Sequence, residues 1–280
     1  MTRRTSERAA THRPGRRRDS WSSGAVDHAI VLVSLEAWDE IWRRNQYLVA
    51  ELLRADPELC VVFVEPAYDP LHAIRRGDRS RRGRGLFLGR GLRPGPDVDG
   101  VAPDHLWRFE PTKWLPRKID RHVDRRGARA VRRMARRLDL GAPVLWVNDP
   151  SAATLVVESG WPALYDITDD WLAAERTPDE HRRLVADERI LLERCAEITV
   201  CSEHLATSKS TDRTVTLITN GVDLDRYRTP QARPADLPPG PPPSTSAPCI
   251  RTGSTSTRLV PRHARSANPH RWSSSGRWSI

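Results

Sequence analysis

Short runs of β-branched and other apolar residues recur along the middle of the chain. The first run, AIVLVSL at residues 29–35, is nearly continuous, which is typical of a parallel strand buried by helices on both faces. The same pattern predicts further short strands later in the chain. They lie at residues 60–64, 105–109, 144–147, 163–166, 198–201 and 215–218.

Helical periodicity fills the intervals between these runs. The first predicted helix ends before Pro57, and one of its faces is apolar. That face consists of Ile41, Leu48, Val49, Leu52 and Leu53. Residues 117–138 and 151–158 predict two further helices. Thr177 begins another, because it forms a capping box with Glu180 and is followed by a proline.

This alternation predicts one α/β domain, a doubly wound parallel sheet of roughly seven strands, over residues 25–230. Within it, residues 66–104 are rich in Arg, Gly and Pro and predict either a mobile loop or a short strand pair. The two ends of the chain differ in composition. Residues 1–24 lack apolar periodicity and residues 231–280 hold few aliphatic side chains, so both tails are predicted to be disordered.

Positive charge is concentrated in the tails. Residues 1–20 carry a formal charge of +5 and residues 231–280 carry +6, out of a total of +10, so the stretch between them is close to neutral. A pI of about 10.2 would otherwise favour a nucleic-acid partner. The neutral domain predicts that the chain binds no nucleic acid. Salt-sensitive DNA binding through the basic tails is the competing hypothesis.

The four cysteines predict no metal site, because no pair has C-x-x-C spacing and no histidine cluster accompanies them. Cys60 and Cys201 lie in apolar strands and are interpreted as small core residues, which suits a reducing compartment. The apolar run at residues 29–35 is too short for a signal core or a membrane span. The sequence therefore predicts a cytoplasmic protein.

One predicted helix carries a basic stripe beside an apolar stripe that includes Ile119 and Val131. The basic residues recur at spacings of three and four, and they are Lys118, Arg121, Arg125, Arg129, Arg132 and Arg136. The simplest interpretation is a solvated face. The functional alternative is peripheral contact with an anionic membrane surface, or with a phosphorylated ligand. Nucleic acid is the least favoured partner, because no aromatic side chains are interleaved with the arginines.

Ligands of doubly wound sheets bind at the carboxyl ends of the strands, and this rule selects candidate site residues. The substrate-binding candidates are Ser34, Trp38, Arg44, Gln46, Asn148, Asp149, Trp171 and Asn220. Some of them have a purely structural interpretation. Asn148, Asp149 and Ser202 could cap helices, and Asn220 with Gly221 could form a turn.

Asp166, Asp169 and Asp170 gather at the end of the fifth predicted strand. Like charges this close repel one another, so a sequence selected for stability alone would avoid the arrangement. These carboxylates could bind sugar hydroxyls, supply a base or hold a metal ion, and Asp169 and Asp170 are the catalytic candidates. Tryptophans near the same rim add the flat apolar surfaces that carbohydrate sites often need, although Trp146 is as readily interpreted as core.

Several motifs with known chemistry are absent from the sequence. No G-x-G-x-x-G follows the first strand, so a dinucleotide cofactor is disfavoured. Neither a P-loop nor a G-x-S-x-G nucleophile elbow occurs. The sequence predicts no cofactor.

Four segments, in their order along the chain, resemble a known family. DEIWRRNQ at residues 39–46, LYDITDDW at 164–171, CAEITVCS at 195–202 and LITNGVD at 217–223 look like the N-terminal domain of GT-B glycosyltransferases of the retaining "group 1" branch. The first segment resembles a helix of the subset that acts on cell-surface polysaccharides. The resemblance implies a Rossmann-like acceptor-side domain, facing a second domain that holds a nucleotide-sugar.

The chain departs from the family pattern at two places. In relatives the loops after the fourth and fifth strands face the reaction centre, and many members place a histidine there. This chain has Asn148 with Asp149, and Asp169 with Asp170, at those positions. A glycine-rich loop that many relatives have after the first strand is replaced by the sequence SLE at residues 34–36.

The resemblance also implies that a donor lobe is missing. Family members continue into a second domain whose basic residue and paired glutamates hold the donor diphosphate and ribose. Residues 231–280 lack the composition of such a domain. We hypothesise that this tail is read in a shifted frame, since residues 244–257 can be back-translated so that a one-base shift gives VYVGTLHPDRLDVD, a strand and a glycine turn. A genuine disordered tail is the alternative.

These inferences predict a truncated or frameshifted glycosyltransferase. Its ancestral role would be to transfer a hexose from a nucleotide-sugar to a polysaccharide or lipid-linked acceptor. The isolated chain is expected to have little or no activity, because the donor-side groups are lacking. The alternative is a non-catalytic binding module for an acceptor or an anionic membrane surface.

Overall fold

One sheet organises the part of the chain that the computed structural model describes, which is residues 28–77, 85, 87–117, 119–211, 213–221, 224, 228 and 232. The strands are β1 (Ala29–Val33), β2 (Cys60–Val64), β3 (Gly91–Pro94), β4 (Leu106–Glu110), β5 (Val144–Val147), β6 (Ala163–Ile167), β7 (Glu197–Val200) and β8 (Thr216–Leu217). The helices are α1 (Arg44–Ala55), α2 (Pro70–Arg75), α3 (Val123–Arg137), α4 (Ala153–Ser159), α5 (Pro178–Arg194) and α6 (Glu203–Lys209). A 3-10 turn at Pro150–Ala152 precedes α4.

The strand order is β3-β4-β2-β1-β5-β6-β7-β8. Every neighbouring pair runs parallel except β3 with β4. From β1 the chain winds outward through β2 and β4, and from β5 it winds outward in the opposite direction to β8. The winding therefore reverses between β1 and β5, which confirms the predicted doubly wound α/β sheet.

Two apolar clusters cover opposite faces of the sheet. Val31 belongs to the cluster that includes Met134 of α3 and residues of α4 and α5. Its neighbour Leu32 belongs to the cluster that includes Val49 of α1 and Trp146. Both faces of β1 are thus buried, which explains why the sequence of this strand is apolar without alternation.

The prediction for the cysteines is confirmed for Cys60, which is 3% exposed. Its burial, with a contribution from the negative charge of Asp104, raises the pKa of the thiol to about 12. Cys195 is also buried, and burial raises its pKa to about 12. Cys201 is half-buried rather than fully buried. Thiols with such raised pKa values are poor nucleophiles, so Cys60 and Cys195 are packing residues.

The apolar face predicted for the first helix is correct at Val49 and Leu53 but wrong at two of its other positions. Ile41 precedes α1 and is 68% exposed, and Leu52 is 39% exposed. The buried face of the helix instead includes the polar residues Asn45 and Gln46, together with Val49. The difference arises because the first turn of α1 packs against polar groups at the end of the sheet, where the amide nitrogen of Asn45 and the amide oxygen of Gln46 find hydrogen-bond partners.

The basic helix is shorter than predicted, since α3 begins at Val123 and Ile119 is 68% exposed before it. Arg125 donates to Glu158 of α4 at 2.7 Å, so this arginine has an intramolecular partner. Most of the basic stripe is exposed, and Lys118 lies outside the described residues. Contact of the stripe with an anionic membrane surface or a phosphorylated ligand stays a prediction, and the residues that would make it are Arg121, Arg129, Arg132 and Arg136. Within the described residues, the helices include none long and apolar enough to cross a bilayer.

The insertion at residues 66–104 contributes both a helix and a strand. Helix α2 was not predicted; Asp69 caps it by accepting the backbone N–H of His72 at 2.9 Å. Strand β3 pairs with β4, which lies outside the insertion, so the described residues do not form the strand pair within residues 66–104 that was one of the two predicted alternatives. Residues 1–24 and, apart from Ala232, residues 231–280 lie outside the described residues, and the predictions for these tails stay predictions.

Candidate functional site

The reversal of winding between β1 and β5 marks the expected ligand site of this sheet. Ser34 follows β1 and Asn148 follows β5, and both side chains are buried. The backbone N–H of Asn148 donates to Val33 O at 3.0 Å, which ties the two strand ends together. Two of the predicted substrate residues therefore lie at the reversal point itself.

Asn45 of α1 bridges these two strand ends. Its side-chain amide donates to Ser34 Oγ at 3.2 Å and to Asn148 Oδ1 at 3.1 Å. Asn148 in turn donates to the backbone oxygen of Asp166 at 3.0 Å and to Thr168 Oγ1 at 3.4 Å. This chain of hydrogen bonds links α1, β1, β5 and β6 below the rim of the sheet. Ser34 and Asn148 are consequently occupied by protein groups.

Arg44 forms an ion pair with Asp166 beside this network. Its Nε and Nη2 atoms donate to the two carboxylate oxygens of Asp166, each at 3.2 Å. The side chains of Arg44 and Asp166 are only 9% and 1% exposed. Thr199 of β7 also donates to Asp166, at 2.8 Å. Such bidentate, hydrogen-bonded geometry is what a buried ion pair needs to offset its desolvation.

The same guanidinium reaches the loop after β8. Arg44 Nη1 donates to the backbone oxygen of Thr219 and to Asn220 Oδ1, both at 3.2 Å. Asn220 is exposed, and its side-chain oxygen accepts this hydrogen bond from Arg44. Arg44 thus connects α1, β6 and the segment that follows β8.

Gln46 and Asp149 act as capping residues in the structure. Gln46 is 1% exposed and accepts the backbone N–H of Arg43 at 3.1 Å, at the start of α1. Asp149 accepts the backbone N–H and the hydroxyl of Ser151, each at 2.8 Å, at the start of the 3-10 turn. The structural interpretation of Asp149 given above matches this geometry.

The three clustered aspartates occupy different environments. Asp166 is neutralised by Arg44 as described, and Asp170 lies 3.7 Å from Lys209 Nζ. Asp169 is exposed, and the described residues offer it no ion pair. Partial burial of its carboxyl group raises the pKa of Asp169, and a hydrogen bond from Thr168 opposes that shift. Of the two catalytic candidates, Asp169 is therefore the more exposed, and its pKa lies above the ordinary value for an aspartate.

Replacing Asp169 by asparagine should change how stability depends on pH. Because the pKa of Asp169 is raised in the folded state, the folded protein binds this proton more tightly than the unfolded chain. The stability of the wild-type protein therefore falls as pH rises through the range in which this carboxyl group loses its proton. Asparagine does not ionise, so the variant should melt no lower than wild type at about pH 7, with the two converging at about pH 3. Melting temperatures of the variant and the wild-type protein, measured between about pH 3 and about pH 7, test this prediction. A variant that loses stability relative to wild type as pH rises would contradict the assignment.

Lys209 belongs to a buried polar cluster behind the aspartates. Its side chain is 9% exposed, and Nζ donates to the two carboxylate oxygens of Glu188 at 3.0 and 3.1 Å. The hydroxyl of Tyr165 donates to Glu188 at 3.5 Å, and burial, followed by the negative charge of Glu188, raises the pKa of this tyrosine. Lys209 thus joins α5 and α6 to the loop that carries Asp170.

The tryptophans near the rim differ in exposure. Trp38 is 5% exposed and packs edge-on against Trp42 and Phe63, with ring centroids 5.7 and 5.0 Å away. Trp146 is 6% exposed and belongs to the core. Trp171 is half-buried, with the Arg176 guanidinium 6.0 Å from its ring centroid. Among the three, only Trp171 keeps part of its ring surface available to a ligand.

Several residues of this site are not identifiable from sequence. Asn45 follows the first strand like its neighbours Arg44 and Gln46, but nothing in the pattern shows that it bridges two strand ends. Thr199 lies inside a strand, and the pairing of Glu188 with Lys209 joins two helices. These contacts span 21 to 103 positions, so only the tertiary structure brings them together. In the described part of the chain, no group of three or more His, Cys, Asp or Glu side chains could hold a metal ion.

No family model and no curated protein matches the chain. Among solved structures it is similar to a sucrose-phosphate synthase from Thermosynechococcus elongatus, with 15% identity and a TM-score of 0.41 over 71% of this chain and 93% of that chain. It is similar to a UGT transferase from Siraitia grosvenorii in complex with UDP, with 14% identity and a TM-score of 0.43 over 68% of this chain and 50% of that one. An E. coli protein described as trehalose-6-phosphate bound with UDP-2-fluoro glucose is 9% identical, with a TM-score of 0.37 over 65% of this chain and 41% of that one. The chain spans half the length of the second structure and less of the third.

Proposed function

We propose that the chain forms the acceptor-binding half of a glycosyltransferase, which moves a hexose from a nucleotide-sugar to a polysaccharide or lipid-linked acceptor. One observation carries the proposal: the four segments that resemble group 1 glycosyltransferases meet in one polar cluster. Their contributions are Arg44, Asp166, Thr199 and Asn220. The contacts join residues as far as 176 positions apart, so a shared tertiary site supports the sequence resemblance.

The proposal divides the predicted site residues into two groups. Ser34, Arg44, Gln46 and Asn148 hold the strand ends and α1 in place, because their polar groups bind other protein groups. Asp169, Asp170 and Trp171 lie on the loop after β6 and would face an acceptor. In this role Trp171 offers a flat surface to a sugar ring, and Asp169 offers a carboxyl group to its hydroxyls.

The donor would be a nucleotide-sugar, bound by a facing lobe that the described residues do not include. This arrangement requires no cofactor, since the nucleotide-sugar carries its own leaving group. The chain alone would bind acceptor glycans weakly and would not turn over the donor.

Saturation-transfer NMR of the purified protein with acceptor oligosaccharides tests the proposal. We expect binding that weakens roughly tenfold, about 1.4 kcal/mol, when Trp171 is replaced by alanine, because the stacking surface is lost. The matched control is Trp114→Ala, since Trp114 is 53% exposed and lies outside the loop after β6. Absence of glycan binding, or equal weakening by both substitutions, would contradict the proposal. Turnover of any nucleotide-sugar by the chain alone would contradict the need for a facing lobe.

A further inference from the structure

Exposed apolar side chains are concentrated in the segments beside the carboxyl end of β4. Trp114, Leu115 and Ile119 lie between β4 and α3 and are 53%, 39% and 68% exposed. Four more exposed residues lie earlier in the chain, and they are Leu71 and Ile74 of α2 and Phe87 and Leu88 before β3. Single exposed apolar residues are common on protein surfaces, whereas a group of them marks an interaction site.

Hydrogen bonds hold the three segments together. The backbone N–H of Tyr68 donates to Pro111 O at 2.9 Å, and the backbone N–H of Lys113 donates to Tyr68 O at 2.8 Å, so the residues before α2 lie beside the segment after β4. The backbone N–H of Gly89 donates to Thr112 Oγ1 at 2.8 Å. All seven apolar residues lie within seven positions of these contacts, and we call them the apolar patch.

The carboxylates near the apolar patch are engaged by groups of the protein. Asp69 lies 3.5 Å from Lys113 Nζ, and Asp120 accepts a hydrogen bond from Arg126 Nε at 2.9 Å. Asp120 and Glu110 are also buried. Little negative charge therefore faces the solvent beside the patch.

The exposed charges around the apolar patch are positive. Residues 69–77, 87–94 and 110–122 hold eight lysines and arginines against three acidic residues. The exposed arginines among the described residues of these segments are Arg75, Arg76, Arg90 and Arg121. The described residues offer Arg75 and Arg121 no ion pair. An apolar patch bordered by cations matches a surface that is negatively charged outside and apolar inside.

We propose that the apolar patch docks the protein on the surface of an anionic lipid bilayer. Tryptophan and aliphatic side chains are favourable at the boundary between headgroups and acyl chains, so Trp114 and Ile119 would enter this layer. Arg75 and Arg121 would contact the negatively charged headgroups. Of the basic stripe, only Arg121 is needed, because α3 has 15 residues and its far end lies about 20 Å from the patch.

The apolar patch is separate from the loop that would face an acceptor. The patch lies beside the end of β4, whereas that loop follows β6. The two strands are four positions apart in the sheet, which corresponds to about 20 Å at the usual spacing of strands. Lipid binding and glycan binding can therefore be measured and disrupted independently.

Flotation of the full chain with vesicles of phosphatidylcholine, alone or mixed with phosphatidylglycerol, tests the proposal. We expect binding to the mixed vesicles, weakened about tenfold by Trp114→Ala because its apolar surface is lost. Arg121→Gln should weaken binding about fivefold, because one cation near the headgroups is lost. The matched controls are Val185→Ala and Arg189→Gln on α5, where the two side chains are exposed, and these variants should bind as wild type does.

The basic tails of the chain also attract anionic vesicles, and the substitutions leave these tails intact. Ile119→Ala is the second apolar variant, and it decides the question if Trp114→Ala lowers the melting temperature. Wild-type binding by both apolar variants would mean that the tails alone bind lipid, and the proposal would be wrong. Absence of vesicle binding would also overturn it.

Sedimentation velocity distinguishes a bilayer from a second copy of the chain. If the wild-type protein self-associates and Trp114→Ala abolishes this without changing vesicle binding, the patch is a protein interface and the proposal is wrong. Glycan binding in lipid-free solution should be unaffected by Trp114→Ala and Ile119→Ala. Failure of lipid binding therefore leaves the proposed function standing, and failure of glycan binding leaves the lipid-docking surface standing.

Discussion

Replacing Asp166 by alanine should lower the free energy of unfolding by about 3–5 kcal/mol, because the substitution leaves a buried guanidinium without its carboxylate. Arg44 is 9% exposed in its side chain and loses both of its hydrogen bonds to Asp166. Thr199 loses its acceptor as well. Urea or guanidinium denaturation of the purified variant measures this loss.

Two further variants separate the ion pair from the general effect of a substitution. Replacing both Arg44 and Asp166 with apolar residues of similar size should recover part of the loss, since no buried charge is left unpaired. The matched control is Asp179→Ala, because Asp179 pairs with Arg182 on the surface and is 87% exposed in its side chain. An exposed pair contributes about 0–1 kcal/mol. A loss of less than about 1 kcal/mol for Asp166→Ala would show that the Arg44–Asp166 pair stabilises the fold no more than an exposed ion pair does.

Replacing Lys209 by methionine should be comparably destabilising, by about 3–5 kcal/mol. The side chains of Lys209 and Glu188 are 9% and 4% exposed, and the substitution leaves the Glu188 carboxylate buried beside Tyr165 without a cation. Denaturation experiments measure the loss, and the double substitution with Glu188→Gln should recover part of it.

The control for Lys209 is Arg189→Met on the same helix as Glu188. Arg189 pairs with Glu193 at 2.7 Å, but the two side chains are 78% and 55% exposed, so the cost should stay within about 1 kcal/mol. Equal costs for the two substitutions would mean that burial does not strengthen the Lys209 pair. The Lys209 variant should also weaken glycan binding if Asp170 contacts the acceptor, because Lys209 is the cation closest to that carboxylate in the structure described.

The strands of the central sheet could be predicted because their signal is local. Residues 60–64 and 144–147 form strands with the predicted bounds, since a parallel strand covered on both faces is apolar at successive positions. The capping box at Thr177 likewise begins α5 as predicted. Strand β3 has no such signal, because it is a short edge strand in a glycine- and proline-rich insertion and depends on pairing with β4.

The sequence could predict where the candidate residues lie, but it could not predict which groups each side chain contacts. The carboxyl-end rule selected Ser34, Arg44 and Asn148, and the structure places their side chains at one end of the sheet, where they meet through Asn45 and Asp166. The rule cannot distinguish a residue that binds a ligand from one that binds its neighbours. Trp38 shows the difference, since it lies after the first strand as predicted but packs inside the protein.

The sequence by itself determined that this chain builds a parallel α/β sheet with polar residues at the ends of its strands. Those features follow from short-range patterns of apolar residues and from chain direction. Only the tertiary structure decided that Arg44 pairs with Asp166 across 122 positions, that Lys209 pairs with Glu188, and that Asp169 stays accessible. Partners of this kind are chosen by how helices and strands pack in space, because an ion pair becomes strong only where burial removes the water that would screen it.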